Sequence, residues 1–296
     1  MKNSRHSLSM MLLVVVTIIW GSGFVATEYA LNAGLDPSVI MAIRFMVGSL
    51  LVGICFFKTI LQSSKRTIVH GVFAGVILFL AFYSQTVGQP MTTVSNTAFI
   101  TATNVVMIPF ILWIITKKAP KSTVFLLCGL SLCGVAILTM NSGEHMQFTS
   151  GDLLVLLCAF LYALHIVFLG KYCNRDHPTA ITFWQLLTSG LLSTVALLFV
   201  RPEISIEQMQ AGLLPVLYLG VFSTCICYYL QTYAQQHLPP SQAGVIMSLE
   251  GVFGALFSIA FGLEIFSLNM LLGGYIVTAC IILMEKINRI NATDKA

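Results

Sequence analysis

One carboxylate stands apart in a long apolar stretch. Glu250 lies in Ser248-Leu249-Glu250-Gly251-Val252-Phe253, and no other charge occurs between His237 and Glu264. An acid at the centre of a membrane helix costs about 2.5–3.5 kcal/mol on insertion scales, so it must be protonated, paired or wetted. Glu250 is therefore a candidate proton or cation site. The plainer alternative is a neutral acid hydrogen-bonded to a neighbouring helix. Arg44 sits in a second apolar run, Ile43-Arg44-Phe45. It either snorkels as an anchor or binds an anionic group. Glu28 lies at similar depth and is a candidate partner for it. His165 is a further buried polar candidate, as a hydrogen-bonding core histidine or as a proton relay.

Amides supply the rest of the polar chemistry. Phe82, Gln85, Thr86 and Gln89 fall at i, i+3, i+4 and i+7, on one helical face. Tyr228, Gln231, Thr232 and Gln235 repeat that spacing. Facing lipid, such a stripe would leave its amides unsatisfied, so both stripes point into a bundle. They either tie helices together or line a shared polar cavity, and their occurring twice favours the cavity. The expected cavity residues are Trp20, Gln85, Asn104, His165, Gln231 and Glu250. The ring would enclose a ligand, the amides orient it, and Glu250 balance charge or carry a proton.

These residues must be held by helices in lipid. Of 296 residues, 57% are hydrophobic and 9% charged, with mean hydropathy +0.90. A soluble domain carries about 25% charged residues. The lipid bilayer is thus the main solvent. A helix needs about 20 apolar residues to cross it, and ten segments qualify: 8–31, 37–57, 68–88, 94–116, 123–141, 152–171, 179–200, 211–236, 241–262 and 269–286. The first segment reads as a retained crossing, without a signal-cleavage site. Segments three and four, and eight and nine, are joined so tightly that each pair is expected to be a helical hairpin. Pro109 is expected to bend the fourth crossing. Gly251, Ala255 and Ser258, and Gly129 and Gly134, are expected at close helix contacts.

With the N-terminus inside, thirteen Lys and Arg fall on the cytoplasmic side, and only Arg201 falls outside. That asymmetry gives a multi-pass protein of the cell (inner or plasma) membrane with both termini cytoplasmic. The chain also reads the same way twice, over 8–141 and 150–287. Trp20-Gly21 falls opposite Tyr162-Ala163, Arg44 opposite Gln185, Asn104 opposite Leu249, and Val105 opposite Glu250. Repetition after five crossings inverts the second copy, and inverted repeats around a midplane cavity are a common transporter plan. The fold class is all-α, with ten transmembrane helices in an inverted 5+5 repeat.

The remaining signals exclude other classes. The net charge is +4 without a soluble basic face, so no nucleic-acid partner is expected. Eight scattered cysteines form no CxxC and no Cys/His metal spacing. No phosphate-binding loop, H-E-x-x-H or G-x-S-x-G occurs. The reading is not an enzyme, with no cofactor and no metal. A sensor or scaffold lacks the soluble domains to signal with. A small-molecule substrate must move on its own gradient or on that of protons or another ion. The oligomeric state is left open.

Four stretches carry a family likeness: Trp20-Gly21-Ser22-Gly23-Phe24, Ile43-Arg44-Phe45, Ser95 to Thr101 leading to Pro109, and Ser248 to Phe253 continuing to Gly262-Leu263-Glu264. In order and spacing the chain resembles the EamA family of the drug/metabolite transporter superfamily, as two EamA repeats. The resemblance implies a central cavity and movement of small metabolites, often amino acids or related compounds, frequently outward. The chain departs from the family pattern at Gly251, where a proline is common, and at Ala119, where repeat one often has a glutamate. Helix 1 also has no mid-membrane acid of the kind used in small multidrug relatives. The alternative of a multidrug or cation efflux carrier stays open.

Overall fold

The computed structural model describes residues 2–92, 94–119, 121–139, 149–263, 265–266 and 268–293. Glu264, Pro120, the 140–148 connection and residues 294–296 lie outside the described residues, as does the side chain of Asn96. Among the described residues every regular element is helical. In chain order these are α1 (Lys2–Asn32), α2 (Pro37–Cys55), α3 (Phe57–Leu61), α4 (Lys65–Gly88), α5 (Val94–Ala102), α6 (Asn104–Thr116), α7 (Ser122–Thr139) and α8 (Ser150–Tyr172). They continue as α9 (Pro178–Val200), α10 (Ile206–Tyr218), a π-helical segment (Leu219–Ile226), α11 (Cys227–Gln235), α12 (Pro240–Met247), α13 (Leu249–Ala260) and α14 (Leu268–Thr293).

Seven continuous helical stretches are long and apolar enough to cross a membrane, and three shorter apolar stretches accompany them, within Ile100–Thr116, Ser122–Gly134 and Leu271–Cys280. The surface matches that solvent. Phe199, Leu214, Ile206, Leu268 and Tyr275 are each more than 70% exposed, whereas Gln185, Thr182, Ser189 and Thr224 are fully buried. Apolar outside and polar inside is stable only where the exterior meets hydrocarbon.

Local chemistry sets the helix starts. Asp36 caps α2, accepting from Ser38 N at 2.8 Å, and Pro37 follows at the first helical position. Capping boxes start α8 at Thr149/Asp152 and α10 at Ser205/Gln208. Both helices consequently begin a little before the apolar runs at 152 and 211.

Two crossings expected to be continuous are interrupted, at matching places. Thr103 separates α5 from α6 and Ser248 separates α12 from α13, with φ/ψ of −61/−14° and −62/−14°. In each case the hydroxyl donates to the carbonyl three residues back, Thr103 Oγ1 to Ile100 O at 2.6 Å and Ser248 Oγ to Val245 O at 2.7 Å. Side-chain back-bonding of this kind competes with the helical ladder. Pro109 does not end its helix; it lies inside α6.

The two halves interleave. α2 packs on α9, and α7 on α14, so equivalent crossings meet each other. Other contacts exchange between halves: α4 with α8 corresponds to α11 with α1, and α1 with α13 to α8 with α6. The expected hairpins therefore do not form, because α4 turns away from α5 to pack on α8 and α9, and α11 packs on α1 and α9 instead of α12. Of the small residues, a Cβ on Gly134 would lie 2.9 Å from Ile276, and one on Gly21 would lie 2.5 Å from Phe253 Cβ. Gly129 faces open space, so it is not a close-contact position.

Candidate substrate cavity

A small cavity lies where the two halves meet, lined by residues of both. Part of its wall is built from residues that correspond between the repeats. Trp20 of α1 and Tyr162 of α8 line it, as do Phe82 of α4 and Tyr228 of α11, and Gln85 and Gln231 on the same two helices. Asn104, Arg44 and Glu250 add polar groups without such a counterpart. Of the six expected cavity residues, Trp20, Gln85, Asn104, Gln231 and Glu250 come together here.

The aromatic rings touch in a chain. Trp20 and Tyr228 lie 5.4 Å apart between centroids, Tyr228 and Phe82 6.0 Å, and Phe82 and Tyr162 5.2 Å at right angles. Edge-to-face packing of this kind fixes ring orientation. Trp20 is held further by its Nε1, which donates to Ser223 O at 2.9 Å.

The two polar stripes split between the roles proposed for them. Phe82 and Gln85 line the cavity, but Thr86 donates to Met41 Sδ, and Gln89 Nε2 donates to Phe24 O and to Glu28 Oε2 at 3.0 Å. Tyr228 and Gln231 line it likewise, whereas Thr232 donates to Tyr228 O, and Gln235 Nε2 to Ile166 O at 3.1 Å. The first members of each stripe form a wall; the later ones tie helices.

Arg44 is 2% exposed, so it does not snorkel. Its Nε donates to Thr224 Oγ1 at 3.0 Å and its Nη2 to Ser223 Oγ at 3.2 Å. Its Cζ lies 4.3 Å over the Phe82 ring, a cation–π contact. Both hydroxyls belong to the π-helical segment, whose widened turns set their register. Close approach of α2 to this segment is allowed by Gly48 and Gly220, where a Cβ would lie 3.0 Å from Thr224 and 2.9 Å from Val47.

Two expected placements are corrected. Glu28 does not pair with Arg44; it accepts from Gln89 and Asn32, whereas the guanidinium donates to Thr224 and Ser223. His165 is fully buried behind the wall, edge-on to Tyr228 at 6.0 Å. Its Nε2 donates to Gln185 Oε1 at 2.9 Å, and Gln185 Nε2 donates to Thr232 Oγ1 at 3.2 Å. This linkage supports Tyr228 from behind. Gln185, the repeat counterpart of Arg44, is thus a structural tie.

Glu250 is 5% exposed, opens the first turn of α13, and makes no hydrogen bond or ion pair among the described residues. Three further wall atoms, Asn104 Oδ1, Gln231 Oε1 and Tyr228 Oη, are buried without partners. Tyr162, Phe82, Tyr228 and Ser223 are wall residues not selected from the sequence. The first three were marked there, as the partner of Trp20 and as stripe members.

A membrane-embedded helical bundle closed around a polar, aromatic-walled cavity has the architecture of a multi-pass membrane transporter. The model of the EamA-like transporter family matches residues 7–140 and 149–285, so the chain belongs to the EamA family of the drug/metabolite transporter superfamily. It is similar to an uncharacterized transporter of Archaeoglobus fulgidus, 32% identical over 92% of this chain and 84% of that one. The uncharacterized transporter YdfC of Bacillus subtilis is 23% identical over 92% of this chain and 90% of its own. A solved crystal structure shares the fold, with TM-score 0.79 and 15% identity over 96% of this chain and 98% of that one.

Proposed function

We propose that the chain is a secondary transporter that exports small zwitterionic metabolites, amino acids or related compounds, by alternating access. The observation that carries this reading is that Arg44 and Glu250 line one cavity without pairing with each other. A ligand bearing both a carboxylate and an ammonium complements both, with its side chain against Trp20, Phe82, Tyr162 and Tyr228. The carboxylate would meet the guanidinium, the ammonium Glu250, and the unpartnered amide and carbonyl oxygens of Asn104 and Gln231 would accept its remaining protons. A permanently cationic drug fits less well, since the buried Arg44 charge repels it.

In this reading ten helices cross the bilayer as an inverted 5+5 repeat, over 8–141 and 150–287, with both termini cytoplasmic. The two repeats rock about the cavity. Glu250 carries a coupling proton when no ammonium occupies it. The exchange of contacts between halves supports such rocking. Radiolabelled amino-acid flux in proteoliposomes tests the reading, preceded by comparing metabolites inside and outside an overexpressing strain and a null strain. Export of one or more amino acids that vanishes in the null supports it. Flux of organic cations alone, with no amino acid moved, overturns it.

A further inference from the structure

A second group of chemically able side chains lies away from the cavity, where α4 begins and α8 turns into α9. His70 Nδ1 donates to Asp176 Oδ2 at 2.8 Å, and Thr67 Oγ1 donates to Asp176 Oδ1 at 2.7 Å. Cys173 lies in the same turn and is 1% exposed. One donor atom from each of His70, Cys173 and Asp176 lies within 4.8 Å of the other two. We propose that these three residues form a divalent-metal site of zinc type that clamps α4 to the α8–α9 turn.

The donor set selects the metal. One sulfur, one imidazole nitrogen and one carboxylate oxygen suit borderline-soft Zn²⁺, and offer too few oxygens for Ca²⁺ or Mg²⁺. Zinc bonds of 2.0–2.3 Å place tetrahedral donors roughly 3.3–3.8 Å apart. The three donors therefore need to move by about an ångström, and the fourth position is left to water. Charge also balances: thiolate and carboxylate neutralise a dication, which matters beside Arg66, Lys171 and Arg175.

The turn is already ordered for this role. Asp176 N donates to Cys173 O at 3.1 Å, and Gln236 Nε2 donates to Asp176 O at 2.6 Å and Cys173 O at 3.4 Å. Outer contacts like these orient metal ligands. Entry is from the His70 side, where the ring is 20% exposed against 5% for Asp176.

The test uses the full chain in detergent and Co²⁺ as a visible stand-in for Zn²⁺. The expected result is one Co²⁺ per chain, a sulfur-to-cobalt charge-transfer band, and displacement by Zn²⁺. The band should vanish in Cys173→Ser and persist in Cys55→Ser and Cys133→Ser, whose side chains are exposed elsewhere. His70→Gln should weaken binding at least tenfold. Zn²⁺ should raise the melting temperature of the native chain and not of Cys173→Ser. A missing band in the native chain, or one that survives in Cys173→Ser, overturns the site. Cys173→Ser keeps the Thr67–Asp176–His70 bonds, so loss of the fold does not confuse the result. Binding is read without flux, so failure here leaves the transport reading untouched, and the reverse also holds.

Discussion

Arg44 and Glu250 face one cavity from opposite halves of the chain and leave each other alone. The guanidinium is held by Thr224 and Ser223 and rests on Phe82, while the carboxylate has no polar partner among the described residues. Opposite charges in a low-dielectric interior attract strongly. Two hydroxyls and an aromatic face fix Arg44 away from Glu250.

Replacing Glu250 by Gln removes the charge and keeps the shape. The variant is expected to express and fold normally, to raise the KM for a zwitterionic substrate about tenfold or more, since a hydrogen bond to a charged group contributes about 1.5–3 kcal/mol, and to lose flux driven by a pH gradient. Proteoliposome uptake at two pH gradients measures this. An unchanged pH response would remove Glu250 from coupling.

At Arg44 the forked geometry matters as well as the charge. Arg44→Lys cannot reach Thr224 and Ser223 together and also meet a carboxylate. Its transport should fall nearly as far as that of Arg44→Gln. The double change Ser223→Ala with Thr224→Ala keeps the cation but frees its position, and about a threefold to tenfold rise in KM is expected. Full activity in Arg44→Lys would show that a point charge suffices.

The divided stripes predict a labelling pattern. On a background lacking the native cysteines, single cysteines at Gln85 and Gln231 should react with a water-soluble thiol reagent, and substrate should protect them. Cysteines at Thr86 and Gln235 should stay unreactive. Equal protection at all four positions would make the stripes pure helix ties.

Close contact between α1 and α13 predicts a difference among glycines. A Cβ at Gly21 would press on Phe253 and on Gly254 N at 2.8 Å, while one at Gly129 would meet nothing within 4 Å. Overpacking costs about 1–3 kcal/mol. Gly21→Ala should lower the thermal midpoint of the solubilised protein by several degrees, and Gly129→Ala should leave it in place.

Orientation is checked directly. A reporter fused after residue 296 is expected to be cytoplasmic, and one inserted in the 142–150 loop external. Two reporters on the same side would require a different crossing count, and the reverse pair would invert the orientation.

The all-helical, membrane-embedded character was legible because apolar residues run in long segments, and several cavity-lining residues because they recur with helical spacing. Gln85 and Gln231 stood out through spacing, and Tyr162 could have been found from its alignment with Trp20. Packing partners were not legible: short turns at Gln89–Met91 and before Pro240 suggested hairpins, yet α4 and α11 follow the opposite half. Nor was the role of Ser223 and Thr224, because their bonds to Arg44 are made from a π-helical segment that the 3.6-residue period does not anticipate. His165 looked like a cavity residue by depth, and depth does not reveal which way a helix is rotated.

The interruptions at Thr103 and Ser248 bear on how the carrier divides its time between shapes. A bend made by proline is permanent, since the missing N–H cannot be restored. A bend made by a hydroxyl is released by one side-chain rotation, and the bond given up is worth only about 0.5–1.5 kcal/mol. Asn104 follows the first interruption directly, and Glu250 lies two residues after the second, in the first turn of α13. Straightening either helix would move the polar group beside it, at a free-energy cost of the order of thermal agitation. Gly251, in place of proline, keeps an N–H that bonds Ser248 O at 3.2 Å, so the interruption there is not locked.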